Sequence, residues 1–94
     1  MKIYIKALVD GDIILEEVDS SSIQGFTDCA LVHKERRWLV YDTPTGLIIV
    51  YGSTKQETLK KLAEKRFQME EARKTQLYQK RIQEFEQLKE MSKS

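Results

Sequence analysis

TKQETLKKLAEKRFQMEEARKTQLYQKRIQEFEQLKEM, residues 54–91, contains neither glycine nor proline, and its reading decides how the rest of the chain is interpreted. It reads as one long helix. Gly52 and Ser53 precede it, and Glu57 follows three residues after Thr54. That is the spacing of a capping box, in which the threonine hydroxyl accepts from a first-turn N–H and the glutamate reaches back. At about 1.5 Å per residue the helix would extend about 55 Å, far more than covering a small sheet requires. The chain is therefore expected to divide within one domain. Residues 1–69 form a β-sheet domain that includes the packed first half of the helix, and residues 70–94 form a projecting amphipathic extension. A break near Arg73–Gln76 that folds the second half back is the alternative, although no glycine or proline marks it.

Upstream of the helix the pattern is that of strands. Lys2–Val9 places Ile3, Ile5, Ala7 and Val9 on one face, and Asp10-Gly11 then predicts a tight hairpin into a second strand, Asp12–Val18. Asp19-Ser20-Ser21-Ser22 reads as a loop, and Ile23-Gln24-Gly25-Phe26 as a segment laying apolar side chains over the sheet edge. Cys29–His33, Trp38–Tyr41 and Leu47–Tyr51 are the remaining strands, joined through Lys34–Arg37 and through Asp42-Thr43-Pro44-Thr45-Gly46. The last strand is apolar on both faces, which predicts a central, buried position. The fold class is α+β: a five-stranded antiparallel β-sheet, in meander order, followed by one long C-terminal α-helix.

Two apolar stretches follow along the helix. Leu59, Leu62, Ala63 and Phe67 are spaced to pack on the sheet. The pattern lapses over residues 68–76 and is rebuilt by Leu77, Tyr78, Ile82, Phe85, Leu88 and Met91, a face too large to leave in water. These six residues are the predicted protein-binding surface, used on a second copy as a homodimer or on a different protein. Ser92-Lys93-Ser94 reads as a frayed end.

Charge and inventory narrow the function classes. The formal net charge is +1, but residues 1–53 carry five Lys/Arg against eight Asp/Glu, and residues 54–94 carry eleven against seven. Cys29 is the single cysteine, which excludes an internal disulfide and a multi-cysteine metal site. His33 is the single histidine, and on a strand it lies about 13 Å from Cys29, too far to share one ion or to act as its base. Asp10/Asp12 and Glu16/Glu17 pair carboxylates only in and beside a hairpin. The expectation is no catalytic residue, no cofactor and no metal, hence no enzyme. With no apolar run long enough to span a bilayer and no leader pattern, the expected setting is cytoplasmic and the expected membrane role none.

The competing reading is a nucleic-acid-binding protein. On a continuous helix Lys55, Arg66, Arg73 and Lys80 would form a basic stripe, and Trp38, Tyr41 and Tyr51 would offer stacking surfaces. Glu57, Glu64 and Glu71 run beside the stripe, as on a solvated, ion-paired helix. A resemblance points elsewhere. Trp38-Leu-Val-Tyr-Asp-Thr-Pro-Thr-Gly46 followed by Leu-Ile-Ile-Val-Tyr-Gly52-Ser-Thr54-Lys-Gln-Glu57 resembles the hairpin-then-helix segment of small proteins from phages and other mobile elements. It covers about a fifth of the chain and implies a small protein that binds and modulates a host protein, for example a defence nuclease, as anti-CRISPR proteins do. No site residue is carried over. The sequence therefore points to a non-enzymatic protein-binding module.

Overall fold

A computed structural model describes the backbone of residues 1–93 and the side chains of residues 1–91. Six strands and three helices follow one another: β1 (Lys2–Val9), β2 (Asp12–Asp19), β3 (Ser21–Ile23), β4 (Phe26–Lys34), β5 (Arg37–Asp42), β6 (Leu47–Gly52), α1 (Lys55–Glu64), α2 (Arg66–Ala72) and α3 (Gln76–Lys93). The α+β class and the antiparallel pairing are as the sequence implies. The single five-stranded sheet is not: β1 and β2 form a two-stranded hairpin of their own, and β3-β4-β5-β6 form a four-stranded antiparallel sheet. Ser21 and Ser22, expected as loop, form with Ile23 the short edge strand β3, Ser21–Ile23, with an irregular register after Ser22.

The layers follow from side-chain alternation. Cys29, Leu31, Val40 and Val50 point to one face of the four-stranded sheet and pack with Leu62 of α1. Val32 and Tyr41 point to the other face, where Ile5 of the hairpin meets them with Ile3 and Val18 alongside. The predicted Ile3/Ile5 face of β1 is thus the buried one. Asp10 and Gly11 both take positive φ, 51° and 85°, as a two-residue hairpin turn with matched twist requires. The hairpin is tied to the β5–β6 turn by a backbone bond from Lys6 N–H to the Gly46 carbonyl, 3.0 Å, and its own ladder is extended by Ser20 N–H donating to the Met1 carbonyl at 2.7 Å.

β6 corrects another expectation. It is the edge strand rather than a central one, and Leu47, Ile48 and Tyr51 are exposed on it. An apolar run signals burial on both faces only when strands lie on both sides, and a meander leaves its last strand at the edge. The central position belongs to β4 and β5, where Cys29, Ala30, Leu31 and Val32 are buried in succession.

The largest correction concerns the helix. It breaks at Lys65 and again over Arg73–Thr75, and its last segment does not project. α3 folds back, Phe85 is 1% exposed, and the longest dimension of the molecule is 38 Å. The break at Lys65 also moves Phe67 off the expected sheet-facing stripe, leaving it 72% exposed. Met69 packs on the core in its place. The cap is close to prediction: Glu57 N–H donates to Thr54 Oγ1 at 3.1 Å, and Glu57 Oε2 accepts from Ser53 Oγ at 3.0 Å and Ser53 N–H at 3.3 Å. α3 is helical through Lys93, and Ser94, the last residue of the expected frayed end, lies outside the described residues.

Candidate functional site

Two features meet where α2 and α3 return to the sheet: a buried polar clamp and an open apolar groove. The clamp is built on Asp42, the last residue of β5, which is 5% exposed. Arg73 donates from Nη2 to Asp42 Oδ1 at 2.7 Å. The Tyr78 hydroxyl lies 3.1 and 3.0 Å from the two carboxylate oxygens, and Thr45 Oγ1 donates to Oδ2 at 2.7 Å. Arg73 also reaches the carbonyls of Thr27 and Asp28, each at 3.3 Å, and the Cys29 sulfur at 3.5 Å. Burying a carboxylate is tolerable only when it is paired and hydrogen-bonded in this way. Asp42 reads in the sequence as a turn residue, and Arg73 as an interruption of the apolar pattern. That interruption was the signal: a cation where an apolar residue should recur is a candidate partner for a buried acid.

The clamp holds protons rather than moving them. Burial, then the hydrogen bond to Asp42 and its charge, push the Tyr78 hydroxyl up to about 12. Burial raises the Cys29 thiol as well, against the pull of Arg73. Burial disfavours the Arg73 charge, but the hydrogen bond and attraction to Asp42 outweigh it and leave its pKa raised. At neutral pH the phenol and thiol are therefore protonated and unreactive as nucleophiles. The arrangement acts as a fastening between the sheet and the returning helix.

Beyond the clamp, Phe85 enters a socket at the β5–β6 turn. A Cβ placed on Gly46 would lie 2.5 Å from Phe85 Cε1, and Gly46 has φ +70°, so both contact and backbone require glycine there. Lys6 and Lys89 set their ammonium groups 5.9 and 4.8 Å from the ring centroid. The six residues predicted to bind a partner thus divide among four environments. Phe85 is core, Tyr78 is in the clamp, and Ile82 and Leu88 are half-buried against the body. Leu77 and Met91 are exposed. A helix that folds back spends its apolar face on its own domain.

The predicted basic stripe is not assembled. Lys55 is on α1, Arg66 on α2, Arg73 in the turn after α2, and Lys80 on α3. Arg66 covers the Phe26 ring at 4.0 Å, and Arg73 is paired with Asp42. Of the proposed stacking residues, Trp38 lies parallel to His33 at 4.1 Å, Tyr41 is core, and Tyr51 is exposed. Among the described residues no group of three or more His, Cys, Asp or Glu side chains could hold a metal ion.

What the fold leaves uncovered is a surface that joins Leu88 and Met91 of the predicted face to hairpin and β6 residues that the sequence reading did not assign to it. A groove of about 490 Å³ between the hairpin and α3 is lined by the apolar Ile13, Leu47, Leu88 and Met91 together with Lys6, Arg81, Glu84 and Gln87. Leu8 pairs with Ile13 across the hairpin, and the two are 74% and 61% exposed. A smaller cavity of about 160 Å³ adjoins it between β6 and the helices, walled by Ile48, Ile49, Met69 and Ala72, with Asp42 and Tyr78 among its lining residues. Leu47 lines both spaces. No family model, no curated protein and no solved structure matches the chain. No helix among the described residues is long and apolar enough to cross a membrane.

Proposed function

We propose that the chain is a non-enzymatic protein-binding module, and that its contact surface is the apolar groove bounded by the hairpin, β6 and α3. The observation that carries this reading is that exposed Ile13 and Leu47 line one groove, with exposed Leu8 paired to Ile13 across the hairpin and exposed Ile48 lining the adjoining cavity that shares Leu47. Contiguous exposed apolar surface of this kind marks interaction sites on small domains. β6 adds an open strand edge, and its sequence Leu-Ile-Ile-Val-Tyr-Gly has no charge and no proline to discourage a pairing segment. The resemblance of residues 38–57 to small mobile-element proteins supports a modulator or inhibitor of a host protein as the role, in a cytoplasmic setting. The partner surface accordingly moves from α3 alone to the groove that α3 helps to form. Nucleic-acid binding takes second place, since Arg73 of its four proposed contacts is committed to Asp42.

The test compares the wild-type chain with Ile13→Asp/Leu47→Asp, both side chains being exposed in the folded protein. A protein retained by the wild type and released by the double variant, with unchanged circular dichroism, is the expected result. Retention of the same proteins by both chains would overturn the reading. Steep, salt-dependent binding of an oligonucleotide, lost in Arg66→Glu, would favour the nucleic-acid alternative.

A further inference from the structure

The turn between α2 and α3 is an unusual break. Residues 72–76, Ala-Arg-Lys-Thr-Gln, contain no glycine and no proline, and all of them can continue a helix. Arg73 already has helical dihedrals, φ −68° and ψ −14°, so Lys74 and Thr75 make the turn. It is closed by short-range backbone bonds: Lys74 N–H to the Glu71 carbonyl and Thr75 N–H to the Ala72 carbonyl, both 3.2 Å. Thr75 Oγ1 donates to the Ala72 carbonyl at 2.7 Å and accepts from Tyr78 N–H at 3.2 Å, capping the start of α3. In a continuous helix the backbone would satisfy these same groups without the side chain. The local chain therefore favours straightness, and the bend persists because of what α3 gains at its far contacts.

Those contacts belong to the body. Tyr78 needs Asp42, and Phe85 needs the glycine socket at Gly46. A second copy of the chain supplies both in the same geometry, because they are the same residues. We infer that α3 is exchanged between two copies: residues 74–75 straighten, α2 and α3 join into one helix of about 42 Å, and each Tyr78 and Phe85 docks on Asp42 and Gly46 of the other chain. Arg73 stays with its own Asp42, beside the incoming Tyr78. Exchange of an identical element keeps every anchoring contact and releases the turn, which is why short hinges favour it. The occupant of the vacated α3 site is thus a second copy of this chain. The groove with Ile13 and Leu47 is re-formed by the incoming α3, so failure of the exchange leaves the partner-binding reading intact.

Light scattering on the full chain from micromolar to millimolar concentration, after refolding at each concentration, tests the inference with two hinge variants that leave the core untouched. Gln76→Pro places proline at the first position of α3, where it suits the bend and forbids a continuous helix. It is expected to remain monomeric where the wild type forms dimers. Thr75→Ala removes the cap that only the bent form uses and is expected to tighten dimerisation by about tenfold or more. Isotope-filtered NOE spectra of a mixed-labelled dimer should show the Phe85 ring against Gly46 of the other chain. A monomer at every concentration even in Thr75→Ala, a dimer that survives Gln76→Pro, or Phe85–Gly46 contacts confined within one chain would overturn the exchange.

Discussion

α1 and α3 look alike as sequence, both amphipathic and rich in paired charges, yet they are attached to the sheet by different means. α1 begins three residues after β6, is capped by Thr54, and buries Leu62 and Thr58 completely against the sheet. Its docking is local and apolar, and the order of the chain nearly dictates it. α3 arrives after two breaks and holds on through one fully buried side chain, Phe85, and through the Asp42 clamp. A helix attached by a socket and a buried carboxylate depends on features far away in sequence, whereas α1 depends on its neighbours.

The difference is sharpest when each anchor is removed. Phe85→Ala should cost about 3–5 kcal/mol, the range for emptying a buried aromatic site. The loss should appear first as hydrogen exchange throughout α3, with α1 still protected. Leu62→Ala should cost about 2–5 kcal/mol and lower the protection of both helices and the sheet together. Equal, global loss in both variants would erase the distinction between the two attachments.

Asp42→Ala is the next strongest. Arg73 would keep its charge in a half-buried site with no carboxylate, a loss of about 3 kcal/mol measured by urea unfolding. Asp42→Asn should recover part of that, because the amide oxygen still accepts from Tyr78 or Thr45.

Tyr78→Phe is milder, about 1.5 kcal/mol for a hydrogen bond to a charged group, and its pH dependence carries the sharper information. The folded hydroxyl keeps its proton to about 12, against an ordinary value of 10.0. Its stabilising contribution is therefore complete below about pH 10 and is lost as pH rises through about 12. The stability gap between wild type and Tyr78→Phe should shrink over that window, and a gap constant from pH 8 to 12 would contradict the clamp. The smallest effect belongs to α1: Thr54→Ala should cost about 1 kcal/mol and fray its first turn without disturbing α3, as amide exchange at residues 55–58 would report.

Where the sequence was informative, the interaction was short in range. The capping box needs only Thr54 and Glu57, the first hairpin only Asp10-Gly11, and the inward face of β1 only the alternation that contains Ile3 and Ile5. The clamp was only half visible. Arg73 stood out as a charge in an apolar pattern, while Asp42, thirty-one positions earlier, had an adequate explanation as a turn residue. Phe85 was recognised as apolar and needing cover, but its cover was assigned to a partner because nothing in the sequence near it names Gly46.

The chain alone thus determined the α+β class, the antiparallel strand segments around its turns, the start of α1, and the apolar faces that must be covered. Tertiary structure decided which surfaces cover them: that the hairpin forms a sheet of its own, that β6 is an edge, and that the long helical run is cut into three. The physical reason lies in magnitudes. Bending a run of good helix formers forfeits a few backbone bonds of about 1 kcal/mol each, some recovered by the Thr75 cap. Burying an aromatic side chain and satisfying a buried carboxylate contribute several kcal/mol. Such gains arise only when residues far apart in sequence have already been brought together.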